Sequence, residues 1–300
     1  MATRAFNSKS ANQQINKSTA IQYLLLGKPQ ITFPVSLSAL TGYFLFTSSF
    51  SWDWLPAIAG VFLMSFASSA INQMQDADVD ALMNRTRKRP IPAGNVKKWQ
   101  ALLLAVLTGS IGFLLLLYNE TSLPARLSLI TLICYNLVYT PLKRLTAFAV
   151  IPGALVGALP PVIGWTAAGG QPFAAPILFV AFFFFVGQIP HFWLILLKYG
   201  DDYEKAGLPT LNRLFSRRQI MNMTLGWVAA TVMAALLLPL TGVIHTTAGA
   251  VAVILLSTML LLSLRNWLKP GKVPDPHHAF MAINLYYLAM MGLLIIDAMA

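Results

Sequence analysis

Charge is the scarcest commodity in this 300-residue chain. Only 10% of its residues are Asp, Glu, Lys or Arg, against about 25% in a soluble protein. With 57% of residues apolar, the chain cannot cover a water-facing surface of its own size. A large soluble domain, or a pair of small ones, is excluded. A single cysteine, Cys134, excludes a disulfide framework and a thiolate metal cluster. Acids are rarer than bases, 10 against 21, for a net charge of +11. In a soluble chain such a balance would raise nucleic acid as a partner. In an apolar one it points to the lipid bilayer and to sidedness, so no nucleic-acid partner is expected.

What remains is long uncharged runs. Seven are bounded by charges: Pro29–Trp52, Trp54–Gln75, Trp99–Asn119, Leu127–Leu142, Leu145–Leu197, Gln219–Leu264 and Pro276–Ile296. A membrane helix needs about 20 mostly apolar residues. Leu145–Leu197 and Gln219–Leu264 are each long enough for two, with breaks at Ala167–Pro172 and Pro239–Gly242. Leu127–Leu142 is short, but Arg126 and Lys143 can snorkel from its ends. The reading is all-α and polytopic, with nine transmembrane helices. With the N-terminus in the cytosol, twenty of the twenty-one Lys and Arg fall on the cytosolic side, Arg126 being the exception. That bias is what the positive-inside rule demands, and it puts the C-terminus on the outer side. Residues 1–28 form a basic cytosolic tail, and residues 29–300 form one intramembrane domain. The acid-free start has the look of a mitochondrial transit peptide, but its arginine is sparse, and no cleavable signal peptide is expected. The bacterial cytoplasmic membrane is therefore preferred to the mitochondrial inner membrane.

The few acids carry the chemistry. Asp53, Glu120 and Asp297 are scattered on the outer side, whereas six of the cytosolic seven fall at two helix ends. The first cluster is Asn72, Asp76, Asp78 and Asp80. On a continuing helix Asn72, Asp76 and Asp80 drift only about 40° per step and form one oxygen-rich stripe, with Asp78 on the opposite, wetter side. Close-set carboxylates favour a divalent cation, and Mg²⁺ takes oxygen ligands while sharing itself with substrate phosphates. A polar helix end facing water is the plain alternative. Six cations follow, in Arg85-Thr86-Arg87-Lys88-Arg89-Pro90 and Lys97-Lys98. Arg pairs with phosphate oxygens in a planar fork, so Arg85 and Arg89 read as diphosphate ligands and Lys97 and Lys98 as ordinary inward charge.

The second cluster is Asp201, Asp202 and Glu204, preceded by Pro190-His191 and by Lys198. If that helix continues, His191, Lys198 and Asp202 share a face, although Gly200 could loosen it. For His191, a structural core histidine stands beside metal ligation, proton transfer and binding of a macrocycle's iron. A transporter would want charge near the bilayer midplane, and no span has any.

Asn72-x-x-x-Asp76-x-x-x-Asp80, followed by Arg85-Thr86-x-x-Arg89-Pro90, resembles the first acidic motif of the UbiA-type intramembrane prenyltransferases. Tyr139-Thr-Pro-Leu-Lys143-Arg144, Gly157–Trp165, Gln188-Ile-Pro-His191-Phe192 and Asp202-Tyr203-x-x-Ala206-Gly207-x-Pro209 are similar to its haem-farnesylating branch. The resemblance runs from about Gly27 through the last helix. It implies transfer of a farnesyl group from farnesyl diphosphate to a vinyl group of haem B, with water addition, giving haem O. Haem B would then be a substrate and Mg²⁺ the cofactor. Asn72, Asp76 and Asp80 would bind Mg²⁺. Arg85, Arg89, Lys143, Arg144 and Lys198, with Tyr139, Tyr199 and Tyr203, would hold the diphosphate. Asp202 would be a metal ligand, a base or a brace for Lys198. His191 would hold the haem, with His277 and His278 as weaker candidates and His245 structural. A downstream haem-modifying enzyme is an implied partner. Two places depart from the wider family. Tyr199 and Tyr203 stand where it has two aspartates, which leaves a second Mg²⁺ open, and Asn212 follows Leu211 where proline is usual. A prenyltransferase of the same architecture acting on a quinone precursor or a chlorophyll-like ring is the alternative.

Overall fold

The computed structural model describes residues 19–119, 121–268 and 275–300. Arg4, Lys9, Lys17, Glu120, Lys269 and Lys272, used above for sidedness, lie outside the described residues. Nine long helices run through the described ones. They are α1 (Pro29–Thr47), α2 (Trp54–Gln75), α3 (Lys98–Leu117), α4 (Leu123–Leu142), α5 (Ala147–Ala167), α6 (Ala175–Lys205), α7 (Arg217–Thr241), α8 (Thr247–Trp267) and α9 (Pro276–Ala298). Eight, α2 to α9, are long and apolar enough to cross a membrane, so the chain is an integral membrane protein.

α1 stands where the first run predicts a helix, but Thr32, Ser36, Ser38 and Thr41 replace aliphatic residues on its buried face. Each hydroxyl donates to a carbonyl three to five residues back, as from Ser36 to Thr32 O at 3.0 Å and from Thr41 to Leu37 O at 3.0 Å. Their burial is therefore satisfied locally. Small residues let backbones approach closely within a bundle. A Cβ on Gly42 would sit 1.9 Å from the carbonyl oxygen of Pro161, and one on Gly164 1.7 Å from that of Ala39. α1 thus lies backbone against backbone on α5 and occupies the middle of the bundle, packed also on α2 and α9.

Both expected breaks are present. α5 ends at Ala167 and α6 starts at Ala175, while α7 winds into a 3₁₀ turn that stops at Gly242, where φ is 74°. The short fourth run becomes a 20-residue helix, Leu123–Leu142, that starts four residues earlier than the charge-bounded run and widens into a π-helix over Cys134–Tyr139. Loop side chains start the later helices. Ser216 and Gln219 form a reciprocal capping box on α7, Thr246 accepts from Gly249 N–H on α8, and Asp275 accepts from His277 N–H on α9. The largest core cluster joins α5, α6, α7, α8 and α9 through residues such as Phe183, Ile189, Leu194, Val232 and Met290. Outward faces stay apolar, as on α3, where Leu103, Val106, Leu107, Ile111 and Leu114 are all exposed. In water such a band would be a liability; in lipid it is the required surface.

Candidate active site

The end of α2 does not continue as one straight helix. Asp76 caps α2 at φ −91°, ψ 0°, and a short helix, Ala77–Leu82, follows. Asp80 N–H still reaches Asp76 O at 2.7 Å, so the one-turn spacing survives the break. Asp76 and Asp80 are 4% and 2% exposed, Asn72 is 1% exposed, and Asp78 points outward. The stripe and its solvated fourth member are as the spacing predicts. The straight helix is not, because the chain turns at Asp76 to bring the cationic loop over the acids.

Four cations from three parts of the chain gather on the buried acids and on Asn72. Lys143, at the end of α4, donates to Asp76 Oδ2. Arg89 Nη1 lies 2.6 Å from Asp80 Oδ2. Arg144 lies 3.6 Å from Asp76 Oδ1 and 3.2 Å from exposed Asp78, and donates to Gln75 O at 2.5 Å. That contact lowers the Asp78 carboxyl from its usual range, through the Arg144 hydrogen bond first. The fourth cation, Lys28, was counted with the tail. It turns inward through a left-handed backbone, φ 48°, just before α1, and donates to Asn72 Oδ1 at 2.5 Å. Lysine only donates, so it fixes the orientation of the Asn72 amide. The amide nitrogen then donates to Asp76 Oδ2 at 2.9 Å and to Thr140 Oγ1 at 3.0 Å. Enclosure of the ammonium end lowers the Lys28 pKa to about 7, with Arg89 and Lys143 adding to the effect and Asp76 and Asp80 opposing it. Lys143, Arg89 and Arg144, with Lys28 beside them, crowd basic groups onto two buried carboxylates in an arrangement suited to a polyanion.

Asp76 Oδ1 is buried without a hydrogen-bond partner, which is costly unless something binds it. Among the described residues no three of His, Cys, Asp or Glu gather as a metal cage. The expected trio of close carboxylates is therefore a pair, because Asp78 turns away. Two carboxylates, one of them with an oxygen that accepts no hydrogen bond, and an amide oxygen still fit Mg²⁺, which keeps waters and completes its shell with substrate phosphate.

The second cluster meets the first through the cationic loop. Asp202 accepts from the Asn84 amide and from the Arg85 N–H, both at 3.2 Å. Arg85 Nη2 lies 3.3 Å from the Tyr203 hydroxyl, and its guanidinium sits 4.9 Å from the Tyr199 ring. Asp202 therefore braces the loop that carries Arg85. The shared face of His191, Lys198 and Asp202 does not extend to Asp202, because α6 kinks at Tyr199, φ −124°, ψ 16°. Lys198 instead lies 3.0 Å from His277 Nδ1 and 5.2 Å from the Tyr199 ring. Lys97 and Lys98 are exposed at the start of α3.

His191 sits deeper in α6, 4.7 Å from the ring of Phe280 on α9. A chain of rings joins it to the carboxylate end: Tyr139 lies 6.0 Å from Phe192, which lies 6.1 Å from His191. His278 is exposed in the first turn of α9. The backbone N–H of His245 donates to Asp297 at 2.6 Å. Lys28, Asn84 and Thr140 escaped the sequence reading. Lys28 left a trace there as a cation set directly before the proline that opens the first apolar run, and Thr140 as an unassigned member of the Tyr139–Arg144 stretch.

Comparison with known proteins identifies the family. The chain is 38% identical over 221 residues to a protoheme IX farnesyltransferase of Geobacter sulfurreducens, covering 74% of this chain and 82% of that one. It is 36% identical over 264 residues to the protoheme IX farnesyltransferase of Oleidesulfovibrio alaskensis, covering 88% and 91%. Among solved structures, a UbiA homologue from Archaeoglobus fulgidus bound to GPP and Mg²⁺ superposes with a TM-score of 0.66 at 16% identity, over 91% of this chain and 99% of that one. The model of the UbiA prenyltransferase family matches residues 35–286, a stretch that holds both acidic clusters and His191. The buried carboxylates, the cations gathered on them and the helical frame thus converge on one assignment: the chain belongs to the UbiA prenyltransferase family.

Proposed function

We propose that this protein transfers a farnesyl group from farnesyl diphosphate to a vinyl group of haem B, giving haem O. One observation carries the site: Asp76 and Asp80, buried at a bundle end, with a carboxylate oxygen that accepts no hydrogen bond among four cations. The acceptor comes from the relatives, which are named as farnesyltransferases of protohaem. Mg²⁺, held by Asp76, Asp80 and Asn72, would neutralise the diphosphate so that its bond to the allylic carbon can break. Lys28, Arg89, Lys143, Arg144 and Arg85 bind phosphate oxygens and stabilise the charge that builds on the leaving group, usually the largest catalytic term. Asp202 and Asn84 hold Arg85 in place. Tyr139, 5.8 Å from Lys143 Nζ and 6.0 Å from the Phe192 ring, would present a ring face to the allylic end.

The electron balance is simple. The C–O pair leaves with diphosphate, and the vinyl π pair forms the new C–C bond. Water takes the resulting cation beside the porphyrin and loses a proton. His191 positions the haem, through iron. Nine spans, an N-terminus in the cytosol and a C-terminus outside complete the proposal, with the site opening to the cytosolic face of a bacterial cytoplasmic membrane. The test is release of diphosphate from farnesyl diphosphate by purified protein. Release that requires both Mg²⁺ and haem B supports the reading. Release stimulated by a hydroxybenzoate in place of haem would move the protein to the quinone-precursor class.

A further inference from the structure

Lys198 stands apart from the carboxylate site, and it has its own surroundings. A cavity of about 380 Å³ opens beside it, lined by Lys198, Asp201, Asn212, Ser216, Arg217 and Pro276. The ends of α6, α7 and α9 meet there. Lys198 can only donate, so His277 Nδ1 accepts its hydrogen bond and His277 Nε2 carries the ring proton as a further donor. Ser216 caps α7, whose positive dipole end favours negative charge. Two cations against one carboxylate, with the Asn212 amide and the Ser216 hydroxyl beside them, make an anion receptor.

Its position relative to His191 says which anion. Seven residues separate His191 from Lys198, before the kink at Tyr199. That is two turns, about 10 Å along one face of α6, comparable with the reach from the centre of a tetrapyrrole to its carboxylate ends. α9 follows the same line, with Phe280 against the His191 ring and His277 against Lys198. The α6–α9 seam therefore joins a histidine and aromatic rings in the apolar interior to a cationic cavity at the bundle end.

We infer that this cavity binds the propionate carboxylates of the haem acceptor, through Lys198 and Arg217, with His277 holding Lys198 in place. Lys198 is thereby a haem-orienting residue and no diphosphate ligand. The inference rests on the haem reading above and names the part of the site that sets which edge of the macrocycle faces the farnesyl donor.

The test compares haem B with its dimethyl ester, whose carboxylates are capped, on purified wild-type protein in neutral-lipid vesicles. Loss of charge-assisted contacts predicts that kcat/KM for the ester falls about tenfold or more, while KM for farnesyl diphosphate is unchanged. Lys198→Met with Arg217→Gln should lower kcat/KM for haem B by a similar factor and erase the difference between acid and ester. Equal turnover of acid and ester by the wild type overturns the inference while leaving the haem reading intact. So does a variant whose KM rises for farnesyl diphosphate and not for haem, which would return Lys198 to the diphosphate. A defect that appears only in vesicles containing anionic lipid would assign the cavity to a lipid headgroup and overturn it too. Absence of any farnesylated haem from the wild type would refute the haem reading itself, and this inference with it.

Discussion

Replacing Arg89 tests the carboxylate site more sharply than replacing either acid. The Asp80 side chain is 2% exposed and that of Arg89 26%. Arg89→Met leaves a carboxylate enclosed without its counter-ion. Removing one partner of a buried pair costs about 3–5 kcal/mol, and the partial exposure of Arg89 places this case near the lower end. Asp80→Asn is milder, about 1 kcal/mol, because Arg89 can turn to water and the amide stays neutral. Removing both leaves no stranded charge, so the double variant should be more stable than Arg89→Met alone, with a coupling of about 2 kcal/mol. Thermal unfolding in one detergent reads this directly. At about 2–4 °C per kcal/mol, Arg89→Met should fall by roughly 6–12 °C and the double variant by less. A chelating buffer keeps added divalent cation from standing in for the guanidinium. Turnover separates the two roles, since the double variant regains stability without regaining activity. The reasoning fails if Arg89→Met is no less stable than Asp80→Asn, or if the double variant turns over at the wild-type rate.

Four further outcomes are expected. Lys28→Met should lower kcat/KM for farnesyl diphosphate by about tenfold or more, the worth of one charged hydrogen bond, measured by steady-state diphosphate release. Asp202→Ala frees Asn84 and Arg85, so trypsin should cut faster at Arg85, Arg87 and Lys88 and KM for farnesyl diphosphate should rise. Chelation of divalent cations should abolish turnover, and Mg²⁺ should restore it. Gly164→Ala drives a methyl group into the Ala39 carbonyl and should cost about 3 kcal/mol, seen as a lower unfolding temperature with little change in the KM of the protein that remains folded.

The sequence made the frame legible because lipid imposes a length and an apolarity on each helix, and charge can collect only between helices. Eight of the nine expected helices are long and apolar enough to cross a membrane. The first became a helix whose polar groups face inward, which periodicity alone could not show. The Asn72-Asp76-Asp80 stripe was readable because its members are neighbours in sequence. Lys28 and Thr140 were not, since each meets Asn72 across a large gap in sequence, 44 and 68 residues. Nothing local marks such contacts. Asp202 was ambiguous for the same reason, its partners Asn84 and Arg85 lying more than a hundred residues away. The kinks at Asp76 and Tyr199 also altered the site. Helical spacing placed Lys198 and Asp202 on one face, and the break at Tyr199 sends Lys198 to His277.

The most direct measurement of the central claim is mass analysis of the porphyrin after purified protein meets farnesyl diphosphate, Mg²⁺, haem B and a quinone-precursor ring together. The account predicts a porphyrin heavier by one farnesyl group and one hydroxyl, the ring untouched, and no product from Asp76→Asn. Haem recovered unchanged beside a prenylated ring would contradict it.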